Sequence, residues 1–227
     1  MNLEDVGVFF LILTGVGVVI AFAVFGYLQE KKRREALASE AVLAGLAFSP
    51  EQDEGIAVQY GFLNALDAGD NRYGTNRIFG VYGGENVDCF DFHYETKSGS
   101  GKDRRTTHHW HHVHALELPE YFPELRIGPE NVLTRIARNF GYPSIDFESH
   151  EFSREFLVQS PDKKFAYDIC HPRMIEYLLE NRGLRLEIEG RTLAVVADGR
   201  MTPGDLVGAL ERLLVLRELI PGYLLSR

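Results

Sequence analysis

An uncharged run of 23 residues, 6–28, opens the chain and is followed at once by Gln29-Glu30-Lys31-Lys32-Arg33-Arg34. A helix rises about 1.5 Å per residue, so a run of this length matches a hydrocarbon core of roughly 30 Å. Backbone amides in lipid must be satisfied within the segment, which makes one helix the expected form. The sequence therefore predicts a transmembrane helix from Val6 to Leu28, within an anchor of residues 1–29. Lys31, Lys32, Arg33 and Arg34 flank it. By the positive-inside rule these four cations place the rest of the chain in the cytoplasm and the N-terminus outside. A cleaved signal peptide fits less well, because its basic region precedes the apolar run instead of following it. The expected location is a bacterial inner membrane, with a single pass.

Residues 30–57 read as a basic stalk or linker and 58–227 as one soluble domain. The whole chain carries a net charge of −9, and every Lys and Arg lies beyond Glu30. A moderately acidic domain argues against nucleic acid as a partner. Cys89 and Cys170 show no metal spacing and no C-x-x-C pair, and they are expected to stay reduced.

From Asn76 the hydrophobic period changes from helical to alternating. Residues 77–82 and 87–96 flank Gly83-Gly84 and predict a hairpin. In its second strand, Val87, Cys89, Asp91, His93 and Glu95 face one way. Asp88, Phe90, Phe92 and Tyr94 face the other. Residues 97–105 form a polar loop that lacks P-loop spacing. Residues 106–118 return as a strand, and 125–127 form another. A helix is expected over 130–140. Residues 145–148, 151–159 and 165–169 read as strands, 171–181 as a helix, 184–189 and 191–197 as two strands, and 204–219 as a C-terminal amphipathic helix. The fold class that follows is α+β: a transmembrane helix, then a mainly antiparallel cytosolic domain with interspersed helices.

Residues 146–181 resemble a bacterial family of single-pass membrane-anchored proteins that carry a domain of unknown function. The matching positions are Glu151, Phe152, Phe156, Val158, Ser160, Asp162, Ala166, Pro172, Met174, Ile175, Glu176 and Leu178. The resemblance spans residues 60–220, rests mostly on core and turn positions, and implies no activity. The histidine-rich strand is not part of that pattern.

That strand carries the best candidate chemistry: His108, His109, Trp110, His111, His112, Val113, His114. Neutral imidazole is a common transition-metal ligand, and residues two apart on a strand point the same way. His109 with His111, or His112 with His114, could hold Zn²⁺ or Ni²⁺, with His93 or Asp91 as a third ligand. No H-E-x-x-H motif supports this, and no G-x-S-x-G elbow or dinucleotide fingerprint is present. The reading that follows is a non-enzymatic, membrane-tethered binding or scaffold domain. Its partners would be the bilayer and a protein or small molecule, with homo-oligomers possible through Gly17 and Ala21. The alternative is a metal-binding enzyme or sensor built on the histidines.

Overall fold

The computed structural model describes the backbone of residues 3–99, 101–129 and 142–225. Side chains are described from residue 14 onward within those ranges, Lys102 excepted. The expected helix over 130–140 lies outside the described residues.

The chain opens with a single helix, α1 (Leu3–Leu43). Among the described residues, no helix is long and apolar enough to cross a membrane. This corrects the transmembrane helix ending at Leu28, the single-pass reading and the inner-membrane location drawn from them. Val6, its expected start, lies outside the described side chains. Within the described residues the uncharged character of α1 ends at Glu30, where Glu30-Lys31-Lys32-Arg33-Arg34-Glu35 begins. Beyond it, α1 docks on the domain. Leu37 and Ala41 are fully buried, whereas Val19, Phe22 and Phe25 are exposed. Three of the four flanking cations are engaged by protein. Lys31 lies 3.9 Å from Glu35, Arg34 bonds Glu30, and Arg33 reaches into the core.

Gly45, at φ +74, ends the turn after α1 and sends the chain into β1 (Ala47–Ser49). A short helix, α2 (Gly55–Gln59), and a 3₁₀ turn (Asn64–Leu66) follow. Then come β2 (Asp70–Tyr82), β3 (Glu85–Ser98) and β4 (Arg105–Pro129). The expected hairpin is present, with Gly83 and Gly84 both at positive φ. β4 is one strand of 25 residues. Its register shifts between Glu117 and Leu125, around Pro119 and Pro123, which cannot donate ladder hydrogen bonds.

The second half holds α3 (His150–Glu155), β5 (Phe156–Gln159), α4 (Lys163–Ile169), α5 (Pro172–Glu180), β6 (Leu186–Asp198) and α6 (Leu206–Leu219). The strand expected over 165–169 is a helix instead, and the one expected over 151–159 is helix α3 in its first half and strand β5 in its second. The Ser149 hydroxyl accepts from Phe152 N, and the Asp162 carboxylate accepts from Phe165 N. Each cap satisfies an orphan amide and starts a helix. The two strands expected around Glu189-Gly190 are a single β6, in which Gly190 sits at φ +58 opposite Phe122.

Among the described residues the sheet has six strands, ordered β1-β2-β3-β4-β5, with β6 along the other side of β4 and every pairing antiparallel. The antiparallel α+β architecture is therefore as the alternation predicts. Both faces of the sheet are covered. One face packs on α1, α3, α4, α5 and α6 through residues such as Ile78, Cys89, Leu116, Phe152, Met174, Leu178 and Leu213. The other packs Phe90, Phe92, Val113 and Val196 under Ile56, Tyr60, Leu63 and Leu66. Phe152, Phe156, Val158, Ala166, Met174 and Leu178, six of the positions that carry the resemblance, are core side chains.

Candidate functional site

The histidines lie on the N-terminal half of β4, between β3 and β6. The β3 register sets Glu95 against His108, Tyr94 against His109, His93 against Trp110, Asp91 against His112 and Cys89 against His114. Alternation splits them as expected. His108, Trp110, His112 and His114 share a face with Asp91, His93 and Glu95. His109 and His111 share the other with Tyr94.

On the face toward α1, His114 is buried and His112 half-buried, with ring centroids 5.3 Å apart. They border a cavity of about 70 Å³ with Leu37, Met201 and Arg212. Burial lowers the pKa of His112 and depresses that of His114 to about 3, so both rings are neutral near pH 7. Beside them Asp91, fully buried, accepts from Arg33 (2.9 Å), Asn76 (3.0 Å) and the Met201 amide (2.6 Å). Asn76 takes a positive φ of 52°, within a stretch where the β2–β3 register shifts. Asp91 is thus a structural acceptor for three donors from β2, α1 and the β6–α6 loop.

On the opposite face, the His109 ring stacks on Tyr94 at 4.7 Å and its Nε2 meets the Thr96 hydroxyl at 2.8 Å. His111 Nδ1 lies 3.1 Å from Asp198 Oδ1, an oxygen that also accepts from Arg185 at 2.9 Å. Burial, reinforced by the Arg185 charge, lowers His111 to about 4. The paired sets expected to grip Zn²⁺ or Ni²⁺ therefore sit in different surroundings, each ring with its own protein neighbours.

Of the metal candidates named from sequence, His93 belongs to a group whose donor atoms converge. Among the described residues, that group is His93, Glu95 and His108, with one donor each, all within 4.8 Å of one another. Sequence reasoning placed His93 and Glu95 on one face of their strand, but it paired histidines along the next strand and brought in His93 only as a third ligand to those pairs. Residues two apart on a strand stand about 7 Å apart, while cross-strand neighbours stand about 5 Å apart, so the close approaches run between β3 and β4.

Two further concavities stand apart from the histidines. One, of about 320 Å³, is lined by Tyr60, Arg77, Phe79, Asn86, Asp88 and Glu117 among others. Arg77 grips Asp88 with two hydrogen bonds of 2.9 and 2.7 Å, and the Tyr60 hydroxyl donates to the same carboxylate at 2.7 Å. Burial pushes the Tyr60 pKa up, so its proton stays on. With its carboxylate held by these donors, Asp88 is poorly placed to act as a base.

The other is a solvent-open groove of about 750 Å³ between α4, α5 and the segment before α3. Phe147, Tyr167, Ile175 and Leu179 give it an apolar floor, and Glu148, Glu176 and Glu180 stand in its lining. Among the described residues, three carboxylates and no cation line it. It forms where Asp162 caps α4, a segment the sequence reads as a strand over 165–169, and where Pro172 opens α5, a helix start the sequence does announce.

No family model matches the chain, and no curated protein matches it. Among solved structures, the crystal structure of the mycobacterial trehalose monomycolate transport factor A, TtfA, superposes with a TM-score of 0.55 at 13% identity. The match covers 84% of this chain and 95% of that one, and at this identity the likeness is one of fold.

Proposed function

We propose that this chain is a non-enzymatic binding domain that serves as an accessory factor in a transport assembly, holding a partner protein in the groove beside α5. The groove itself carries the reading: an apolar floor of Phe147, Tyr167, Ile175 and Leu179 flanked by three carboxylates. The occupant that fits is an amphipathic helix with apolar anchors at i, i+3 and i+4 and with Lys or Arg beside them. Charge complementarity argues for it, since the charged groups that the described residues bring to the groove are Glu148, Glu176 and Glu180, a match for a cationic flank. A lone acyl chain fits less well. Lipid-sized ligands are held in sites that enclose most of their surface, and this groove is open. The fold shared with a transport factor supports the accessory role. So does the character of the polar clusters described above, where Asp91 and Asp88 are held by cations and amides and not left free to react.

A photo-reactive residue placed at Leu179 in the full-length chain, expressed in its own host, tests this. The expected result is one discrete protein adduct, absent when the probe is moved to exposed Val58. That adduct should weaken severalfold with Glu176→Lys/Glu180→Lys and disappear with Ile175→Asp. An adduct that extracts into organic solvent as lipid, or a protein adduct insensitive to both changes, would overturn the proposal.

A further inference from the structure

The corner where β2, β3 and β4 meet holds a set of donors arranged for a ligand that the groove does not explain. His93 Nδ1 lies 3.2 Å from the Asn71 carbonyl oxygen. A carbonyl only accepts, so Nδ1 carries the ring proton and the neutral imidazole presents a bare Nε2. That Nε2 lies 3.0 Å from His108 Nδ1, and His108 Nδ1 lies 3.4 Å from Glu95 Oε1. Four ligands at about 2.0–2.1 Å around a tetrahedral ion stand about 3.3 Å from one another. Both measured separations are close to that edge.

The surroundings fix these donors. His93 is buried, with Tyr73 stacked on one side at 4.6 Å and Trp110 at 4.8 Å. Asn71 adopts a positive φ of 50° in a stretch where the β2–β3 register shifts, and this lets one residue serve two donors. Its carbonyl orients His93, and its side-chain amide donates to Glu95 Oε1 at 2.8 Å. Outer partners of this kind set the tautomer and the aim of metal ligands. Arg200 stacks over Trp110 at 3.9 Å, but its charge is met by Glu30 at 3.0 Å. His108 is exposed, so the fourth position opens to water.

We infer that His93 Nε2, Glu95 Oε1 and His108 Nδ1 form a site for a borderline divalent transition-metal ion of the zinc class, completed by water. Two imidazoles and one carboxylate with an open position suit Zn²⁺, Co²⁺ or Ni²⁺ and do not suit Mg²⁺ or Ca²⁺, which take oxygen. Such an ion ties β3 to β4 at the open end of the sheet.

The test uses the full-length chain and Zn²⁺ as the probe. After loading and desalting, elemental analysis should find one equivalent of zinc, and Co²⁺ should give a tetrahedral visible spectrum. His108→Ala, at an exposed position, and Glu95→Gln, which keeps the side chain's shape, should each lower Zn²⁺ affinity at least tenfold, His108→Ala without changing the melting temperature of the metal-free protein. Asn71→Gly, which removes the amide to Glu95 and keeps the positive φ and the carbonyl that orients His93, should weaken binding about tenfold. His109→Ala and His112→Ala should bind as the parent does. No stoichiometric zinc in the parent, or zinc lost with His109→Ala or His112→Ala and retained with His108→Ala, would overturn the inference. The groove plays no part in these readouts.

Discussion

Arg33 on α1 places its guanidinium 2.9 Å from Asp91 on β3, and the Asp91 side chain has no exposure at all. The two are 58 positions apart in sequence, yet this pair seats the helix on the sheet. Arg33 also donates to the Met201 carbonyl at 3.0 Å, while the Met201 amide donates to Asp91 at 2.6 Å.

Removing one member of a buried pair strands the other, at a cost of about 3–5 kcal/mol. Arg33→Met is therefore expected to lower the urea midpoint severely, and Asp91→Ala to do at least as much because three donors lose their acceptor. Glu30→Gln, at a partly exposed partner of Arg33, should cost no more than about 1 kcal/mol. Equilibrium unfolding of the three variants checks the order.

Acid should loosen the fold before its carboxylates titrate. His114 and His111 have folded pKa values of about 3 and about 4, against 6.5 when unfolded. Below pH 6.5 the unfolded chain takes up protons that the native rings refuse, so stability is full above 6.5 and falls as pH drops towards those values. His93 and His112 shift in the same direction. Buried Glu187, raised by burial, works against the trend. The slope attributable to His114 is about 1.4 kcal/mol per pH unit between 6.5 and 4. His114→Phe should flatten the dependence of melting temperature on pH by about that amount, and an unchanged slope would refute the assignment.

The helical state of 163–169 rests on one carboxylate. Asp162→Ala removes the cap on Phe165 N and should cost about 1 kcal/mol, whereas Asp162→Ser should largely keep it. Thermal unfolding of the pair distinguishes a cap from a mere turn residue.

Gly74 on β2 is fixed by the helix above it. A Cβ there would stand 2.4 Å from Ile56 Cδ1 and 2.9 Å from Ile56 Cβ. Gly74→Ala should destabilise by about 1–3 kcal/mol through overpacking. Combining it with Ile56→Ala should cost less than the sum of the two, since the truncated side chain vacates the space. A double-mutant cycle measures this.

Both thiols should resist modification in the native state. Cys89 and Cys170 are buried and burial pushes both pKa values up. A disulfide reagent should react with them only at the rate of unfolding.

The alternation of 87–96 and 106–114 was enough to mark two strands and sort the side chains of each onto two faces, and Gly83-Gly84 marked the β2–β3 hairpin, because strand period and a Gly-Gly turn are local signals; the β3–β4 register that sets the neighbours of each histidine is not. What escaped was tertiary or cap-dependent. Phe165–Ile169 looks like a strand until the Asp162 carboxylate is seen to hold Phe165 N. Glu189-Gly190 looks like a hairpin tip, but pairing with β4 carries β6 straight through it. Arg33 read as one of four interchangeable cations, since nothing in the sequence announces a buried aspartate 58 positions away. The 23-residue run suggests a membrane span by its length, whereas the same helix continues past Glu30 and buries Leu37 and Ala41 against the domain, a docking that no local signal announces. Glu95 and His108 were missed as partners of His93 because the search ran along one strand instead of across two.

β4 is held by different neighbours along its length: β3 and β6 flank its first half, β5 and β6 its second. The molecule consequently has no seam. A nick in the exposed tip around Gly101 leaves every ladder intact, so two fragments meeting there should reassociate. A break between Leu116 and Leu125 would leave each fragment with half of the shared spine, and β6, in the second fragment, with only part of its partner, so neither could hold its shape alone.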